Sequence, residues 1–439
     1  MFITAITIFT ALFAGASAQL SGRVGPTTAL SQKKTVCNVL NYGGKVGSSD
    51  IGPAIGSAFT NCVKKNSGSV LYVPPGNYNM ATWQTLNGGS NWAFQMDGVI
   101  TRTGTAGGHM IYIGTANNFE MFSSTSAGAF QGHGYQVRNT GPRFLRVVNS
   151  VNWSVHDLIF VDSPEFHVII DGGSNGEIYN LAIRGANLGG SDGIDISGTN
   201  HWVHDVEVTN RDECVTVKNP ASNFLIERIW CNQSGGSAMG SLSTGINIKN
   251  IVYRNIYTNG GNQAYMIKSN GGSGTVQNVL FQNFIVRGTA YGLDVNQLWA
   301  SQTPAAGAGV KLQNITFQNW DGYVVDGVQR PPVQFICATG NPCTGISLQN
   351  VKMWSATGKA VNKCQAAYGT GGSCLKAGSG GGYAQVTLTV SEPSGYTNPQ
   401  SMPGDLAAGF SPTAAIPIPS IPTSFYPGLP QISPLARNK

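Results

Sequence analysis

Short runs of alternating aliphatic and polar residues recur through the middle of the chain, each with an Asn or Asp set before an aliphatic residue. They read Val155-His156-Asp157-Leu158-Ile159, Ile178-Tyr179-Asn180-Leu181, Val203-His204-Asp205-Val206 and Phe224-Leu225-Ile226-Glu227-Arg228-Ile229. Later copies centre on Asn255, Asn283, Asn314 and Asn350. The marked positions, from Asp157 through Asn180, Asp205 and Arg228 onward, are separated by 23, 25, 23, 27, 28, 31 and 36 residues. A period of that size means stacked supersecondary units. The runs are too short and their turns too Gly-rich for βαβ units, and the leucine framework of leucine-rich repeats is missing. The pattern predicts an all-β fold, a single-stranded right-handed parallel β-helix whose strands stack at about 4.8 Å.

An open coil exposes unpaired edge groups, so its ends need covers. From Asp50 to Val63, apolar residues fall at Ile51, Ile55, Phe59 and Val63, a spacing that predicts a short N-terminal capping helix. Ser49 or Asp50 is its expected N-cap. Residues 376–439 lose the repeat and become rich in Gly, Ser and Pro. The expected organisation is a secretory leader over 1–18, a catalytic coil over 19–375, and an irregular tail over 376–439 packed on the coil's wall. The leader rests on the apolar run Phe2–Ala14 and the small residues Ala16-Ser17-Ala18 before Gln19.

Composition agrees. The 439 residues include 58 glycines but only 10% charged residues, which suits short strands joined by tight turns. Eight cysteines in a chain with a leader imply disulfides. Proximity in sequence pairs Cys37 with Cys62, Cys214 with Cys231, Cys337 with Cys343 and Cys364 with Cys374. No Cys-x-x-Cys pair with nearby histidines suggests a metal, and neither a metal nor a cofactor is expected. Asn152, Asn232 and Asn314 open Asn-x-Ser/Thr sequons. The net charge of +6 suits a polyanion, but the basic residues form no aromatic-interleaved stripe. The expected partner is an acidic polysaccharide rather than nucleic acid or a membrane, and a secreted monomer is the default.

Two acidic segments carry the chemistry: Gly190-Ser191-Asp192-Gly193-Ile194-Asp195, and Asn210-Arg211-Asp212-Glu213-Cys214. Asp192 and Asp212 are twenty residues apart, close to one coil, so they should stack on one face. Glycosidic hydrolysis needs one protonated carboxyl at the leaving oxygen and one carboxylate to activate water. Successive residues of a strand point to opposite faces, so Asp212 and Glu213 reach one site only if the chain bends there. Each acid also has a plainer reading, as the cap of a turn or a solvated edge, and Asp195 is expected to be structural.

Those segments resemble the polygalacturonase superfamily of glycoside hydrolases (family 28), and within it the rhamnogalacturonan hydrolases of fungi. Polygalacturonases carry Asn-Thr-Asp, Asp-Asp, Gly-His-Gly and Arg-Ile-Lys in chain order. Here Ser191-Asp192, Asp212-Glu213 and Met266-Ile267-Lys268 match the first, second and fourth. Ser234-Gly235-Gly236-Ser237-Ala238-Met239-Gly240 replaces the His motif, and Met266 replaces the arginine that grips galacturonate. The resemblance implies endo-cleavage of galacturonosyl–rhamnosyl bonds with inversion, Asp212 as general acid, and Asp192 and Glu213 around the attacking water. Lys268, Arg287 and Tyr291 are the expected substrate-binding residues. The competing readings are an exo-acting enzyme on the same polymer, a polygalacturonase, a calcium-dependent β-helical lyase, and a non-catalytic pectin-binding coil.

Overall fold

A computed structural model describes residues 20–439; the expected leader lies outside them. The described residues wind into a right-handed parallel β-solenoid of about 11 turns and include one α-helix. Single strands wrap around corners: Ile194–Thr209 and Val215–Asn232 each bend at two points. The bends fall on residues in the left-handed region, such as Asn200 (φ 57°) and Asp205 (φ 52°). Asn and Asp tolerate this region because a short polar side chain can bond locally, which is why the repeat is marked by them.

The corners stack into two ladders. On one, Asn175 donates to Asn152, Asn200 to Asn175, Asn250 to Asn223, and Asn278 to Asn250. On the other, Asn283 donates to Asn255, Asn319 to Asn283 and Asn350 to Asn319. This corrects one repeat marker. Phe284 is level with Trp320, so Asn319 is the partner of Asn283, whereas Asn314 belongs to the first ladder beside Asn278. Gln313-Asn314-Ile315 and Gln318-Asn319-Trp320 look alike in sequence, and only strand pairing separates them. Between corners, alternate residues enter the core and stack rung on rung, as Phe284 does on Trp320 at 4.0 Å between rings.

The capping helix spans Gly52–Asn61, followed by a 3-10 turn at Val63–Lys65. Ile51, Ile55, Phe59 and Val63 are all buried beneath it. Ile51 occupies the N-cap position without a side-chain bond, so neither expected cap does so. Asp50 instead accepts the N–H groups of Gly52 and Ala81, tying the helix start to the neighbouring turn. All four disulfides form between the expected partners.

The tail explains why four corners of the second ladder, three of them not Asn, leave the ladder pairing. Asp157 accepts the N–H of Ala436, Asn180 donates to Ser433 O, Asp205 accepts the N–H of Ile432, and Arg228 donates to Pro430 O. At these four rungs the corner side chains bind tail backbone rather than each other. Ile416, Ile421, Phe425 and Leu435 pack with Ile159, Val161 and Ala182 of the wall. One sequon is thereby excluded from modification in the folded chain. Asn232 is buried, and its Oδ1 accepts from Asn259 Nδ2 (2.8 Å) and Leu406 N (3.3 Å). Asn152 is half-buried and Asn314 exposed.

Asn283 tests the ladder. Asn283→Ala loses two ladder bonds, each worth about 1 kcal/mol, and strains a residue at φ 58° by about 1–2 kcal/mol. Asn283→Gly should relieve only the strain. Thermal unfolding should therefore rank wild type above Gly and Gly above Ala; equal midpoints for all three would show that the ladder is idle.

Candidate active site

The site is set by register. Ile194 lies opposite Val215, one residue more than separates the two aspartates, so Glu213 is level with Asp192 and Asp212 sits just before it. Residues 210–214 form a bend before the strand begins at Val215, and the bend lets both acids point to one place. Asp192, Asp212 and Glu213 converge, each offering an oxygen within 4.8 Å of the others. The disulfide from Cys214 to Cys231 anchors the far end of the bend. The next coil passes directly beneath it: a Cβ on Gly235 would lie 2.7 Å from the Asp212 carbonyl carbon, and one on Gly236 (φ +79°) 1.9 Å from Gln263 O. Backbone occupies the place where polygalacturonases carry their His motif.

Three further residues position the cluster. Asn210, fully buried, donates to both Ser191 O (2.7 Å) and Glu213 O (3.0 Å), clasping the two acidic turns together. Ser191 Oγ accepts the N–H groups of Arg211 and Asp212. His167 Nδ1–H donates to the carbonyl of Asp192 at 2.9 Å; burial pushes this imidazole down to about 4, so it is neutral. Asn210 and Ser191 flank the acids in sequence, but His167 comes from the preceding coil and carried no local signal. His133, which lies in the one Gly-His-Gly run of the sequence, stands at the start of the 3-10 turn Gly134–Gln136.

Lys268 reaches the cluster as an ion pair with Glu213, so its charge is already engaged. The three carboxylates are close enough to share a cation; Lys268 contacts the trio through Glu213, and Lys218 and Lys268 both pull on Asp192. Burial first, and then the Asp212 carboxylate, pushes Asp192 up to about 7. Asp195 is likewise pushed up to about 7 by burial and then by Asp192, against the pull of Lys218; its Oδ2 lies 3.4 Å from Lys218 Nζ.

The groove floor is one sheet column: Arg146, Ile169, Asp195, Thr216, Ala238, Met266, Asp294, Gln334 and Lys363. Its strand neighbours Ile170, Ile196, Val217, Met239, Ile267 and Val295 belong to the core, so the column faces outward. Tyr291 lines a cavity of about 330 Å³ on the C-terminal side of the acids. Arg287 is not in the groove. It stands level with Asn259 and Tyr323, and its guanidinium donates to Pro399 O of the tail. The expectation that it binds substrate is corrected: one coil after Lys268 is the right rung but the wrong wall.

Comparison with known proteins agrees with the fold. The family model for glycosyl hydrolases family 28 matches residues 79–374. The chain belongs to that family. It is 51% identical over 444 residues to "Rhamnogalacturonase A" of Aspergillus aculeatus, covering 99% of each chain. It is 50% identical over 426 residues to "Rhamnogalacturonase A" of Aspergillus niger, covering 95% of each. Among solved structures it resembles the endo-xylogalacturonan hydrolase of Aspergillus tubingensis, with a TM-score of 0.68 at 22% identity over 79% of this chain and all of that one. The last likeness speaks for fold alone. The protein is a glycoside hydrolase.

Asp294, in the same floor, is buried and pushed up to about 7 by burial, against hydrogen bonding from Gln334. Its folded value lies above the unfolded 3.8, so the folded chain holds a proton that the unfolded chain releases. That stabilisation is complete below about pH 4 and lost as pH rises through 7. Asp294→Asn should therefore flatten the fall in thermal midpoint between pH 5 and 8, recovering on the order of 1–3 kcal/mol at pH 8. An unchanged pH slope would contradict this.

Proposed function

We propose that this glycoside hydrolase cleaves α-D-galacturonosyl-(1,2)-α-L-rhamnosyl bonds within the rhamnogalacturonan I backbone of pectin, with inversion, outside the cell. The observation that carries the reading is the convergence of Asp192, Asp212 and Glu213, in a chain half identical to relatives named for rhamnogalacturonan. Two neighbouring carboxyls cannot both ionise cheaply, so Asp192 and Asp212 retain one proton as a pair. Asp212, the half-buried and more accessible member, is the general acid in this reading and donates a proton to the leaving oxygen. Asp192 and Glu213 then face the attacking water as carboxylates. The Lys268 ion pair keeps Glu213 ionised and oriented without consuming both of its oxygens.

The substrate class follows from the groove. Its central floor is Thr216, Ala238 and Met266, uncharged where a polygalacturonate enzyme would place an arginine. A neutral deoxy-sugar with a methyl group suits that floor better than a uronate does. The column continues on both sides of the acids, toward Arg146 and toward Lys363, which favours binding along a chain's interior. Four buried disulfides favour an oxidising compartment.

Two measurements test this. Purified rhamnogalacturonan should be depolymerised faster than polygalacturonate, and the reverse order would overturn the substrate assignment. Asp212→Asn should lower kcat by about 10²–10⁴ while binding and folding persist; near-normal turnover would remove Asp212 from its role.

A further inference from the structure

The cation that this chain lacks at Met266 has to come from elsewhere if the polymer is acidic. Around the groove, most candidates are already spent. Lys268 is paired with Glu213, Lys218 contacts Asp195 and Gly240 O, and Arg146 is paired with Asp171. Arg287 is bound to the tail. Two guanidinium groups are different. Among the described residues, Arg211 and Arg330 have neither a carboxylate partner nor a side-chain hydrogen bond.

Both line the same cavity, with Asn262, Gln263, Tyr291 and Trp299. Its volume of about 330 Å³ falls within the roughly 300–1,000 Å³ of small-ligand pockets. Arg211 enters from the acidic bend itself, one residue before Asp212. Arg330 enters from the opposite side, with its guanidinium carbon 5.7 Å from the Tyr291 ring centroid. Its loop is held in place because Pro331 O and Pro332 O accept the N–H groups of Gly292 and Leu293, next to Tyr291. Two unpaired guanidinium groups, an aromatic face and two side-chain amides are the parts needed to bind one charged sugar. Guanidinium forks match carboxylates, and aromatic rings cover sugar faces.

We infer that Arg211 and Arg330 form a carboxylate subsite that takes one galacturonate of the substrate, on the C-terminal side of the catalytic acids. This rests on the proposed substrate. The uncharged floor at Ala238 and Met266 then receives the neutral sugar, and the charged sugar next along the polymer sits between the arginines. Alternation of neutral and acidic units in the polymer is matched by alternation of apolar and cationic positions in the groove.

The test uses the whole enzyme and two substrates: rhamnogalacturonan, and the same polymer with its galacturonates chemically reduced to galactose. Arg330→Gln should raise KM on the native polymer about tenfold, with kcat within about twofold, because the contact is one of uniform binding. The same variant should match wild type on the reduced polymer, and Arg330→Lys should recover part of the loss. Arg211→Gln should give the same pattern, and melting points should stay at the wild-type value. An equal loss on both polymers, or no loss on either, would overturn the subsite. If instead wild type prefers polygalacturonate, the substrate proposal falls; if wild type prefers rhamnogalacturonan but the arginine variants do not distinguish charged from reduced polymer, only the subsite falls.

Discussion

Parallel pairing between successive coils fixes everything else in this molecule. The hydrogen bonds between rungs leave no freedom in which residue of one coil lies beside which residue of the next. Register alone therefore places Glu213 level with Asp192 and puts the 210–214 bend over the two glycines of the following coil. The acids cannot separate without breaking the hydrogen bonds that tie their turns together, from Gly193 N to Glu213 O, from Gly235 N to Asp212 O and from Asn210 to both acidic turns, so the repulsion between them is absorbed as a retained proton and an ion pair to Lys268.

The corners carry the second layer of the design. Left-handed Asn residues turn the strand and then bond to the same residue one coil away. Where the ladder carries Asp157, Asp205 and Arg228, the side chains reach outward to the tail instead. The tail thus docks on a row of hydrogen-bonding groups that the coil would otherwise leave unpaired, and it covers the wall that bears Arg287 and Asn232.

Periodicity made the architecture readable, since a coil repeats its hydrophobic pattern and its corner residues. It could not resolve two similar tripeptides, Gln313-Asn314-Ile315 and Gln318-Asn319-Trp320, because both fall at corners and the intervening distance alone favours neither. The acidic trio was readable because its chemistry is dense and local. Arg287 was misplaced because counting residues gives the rung and not the wall. His167 was invisible for a related reason: it acts through a backbone carbonyl one coil away. The Arg211–Arg330 cavity joins residues more than a hundred positions apart, and nothing short of the folded chain brings them together.

The acids' nearest oxygens lie closer than the ~6.5–9.5 Å common in inverting glycosidases, so the stereochemical outcome is the property that most directly distinguishes direct attack by water from a covalent route. Proton NMR of a rhamnogalacturonan oligosaccharide during its first minutes of digestion reads it directly. A new reducing-end galacturonate appearing first as the β-anomer is the expected result. The α-anomer appearing first, or a reducing-end rhamnose, would contradict the paired-acid mechanism.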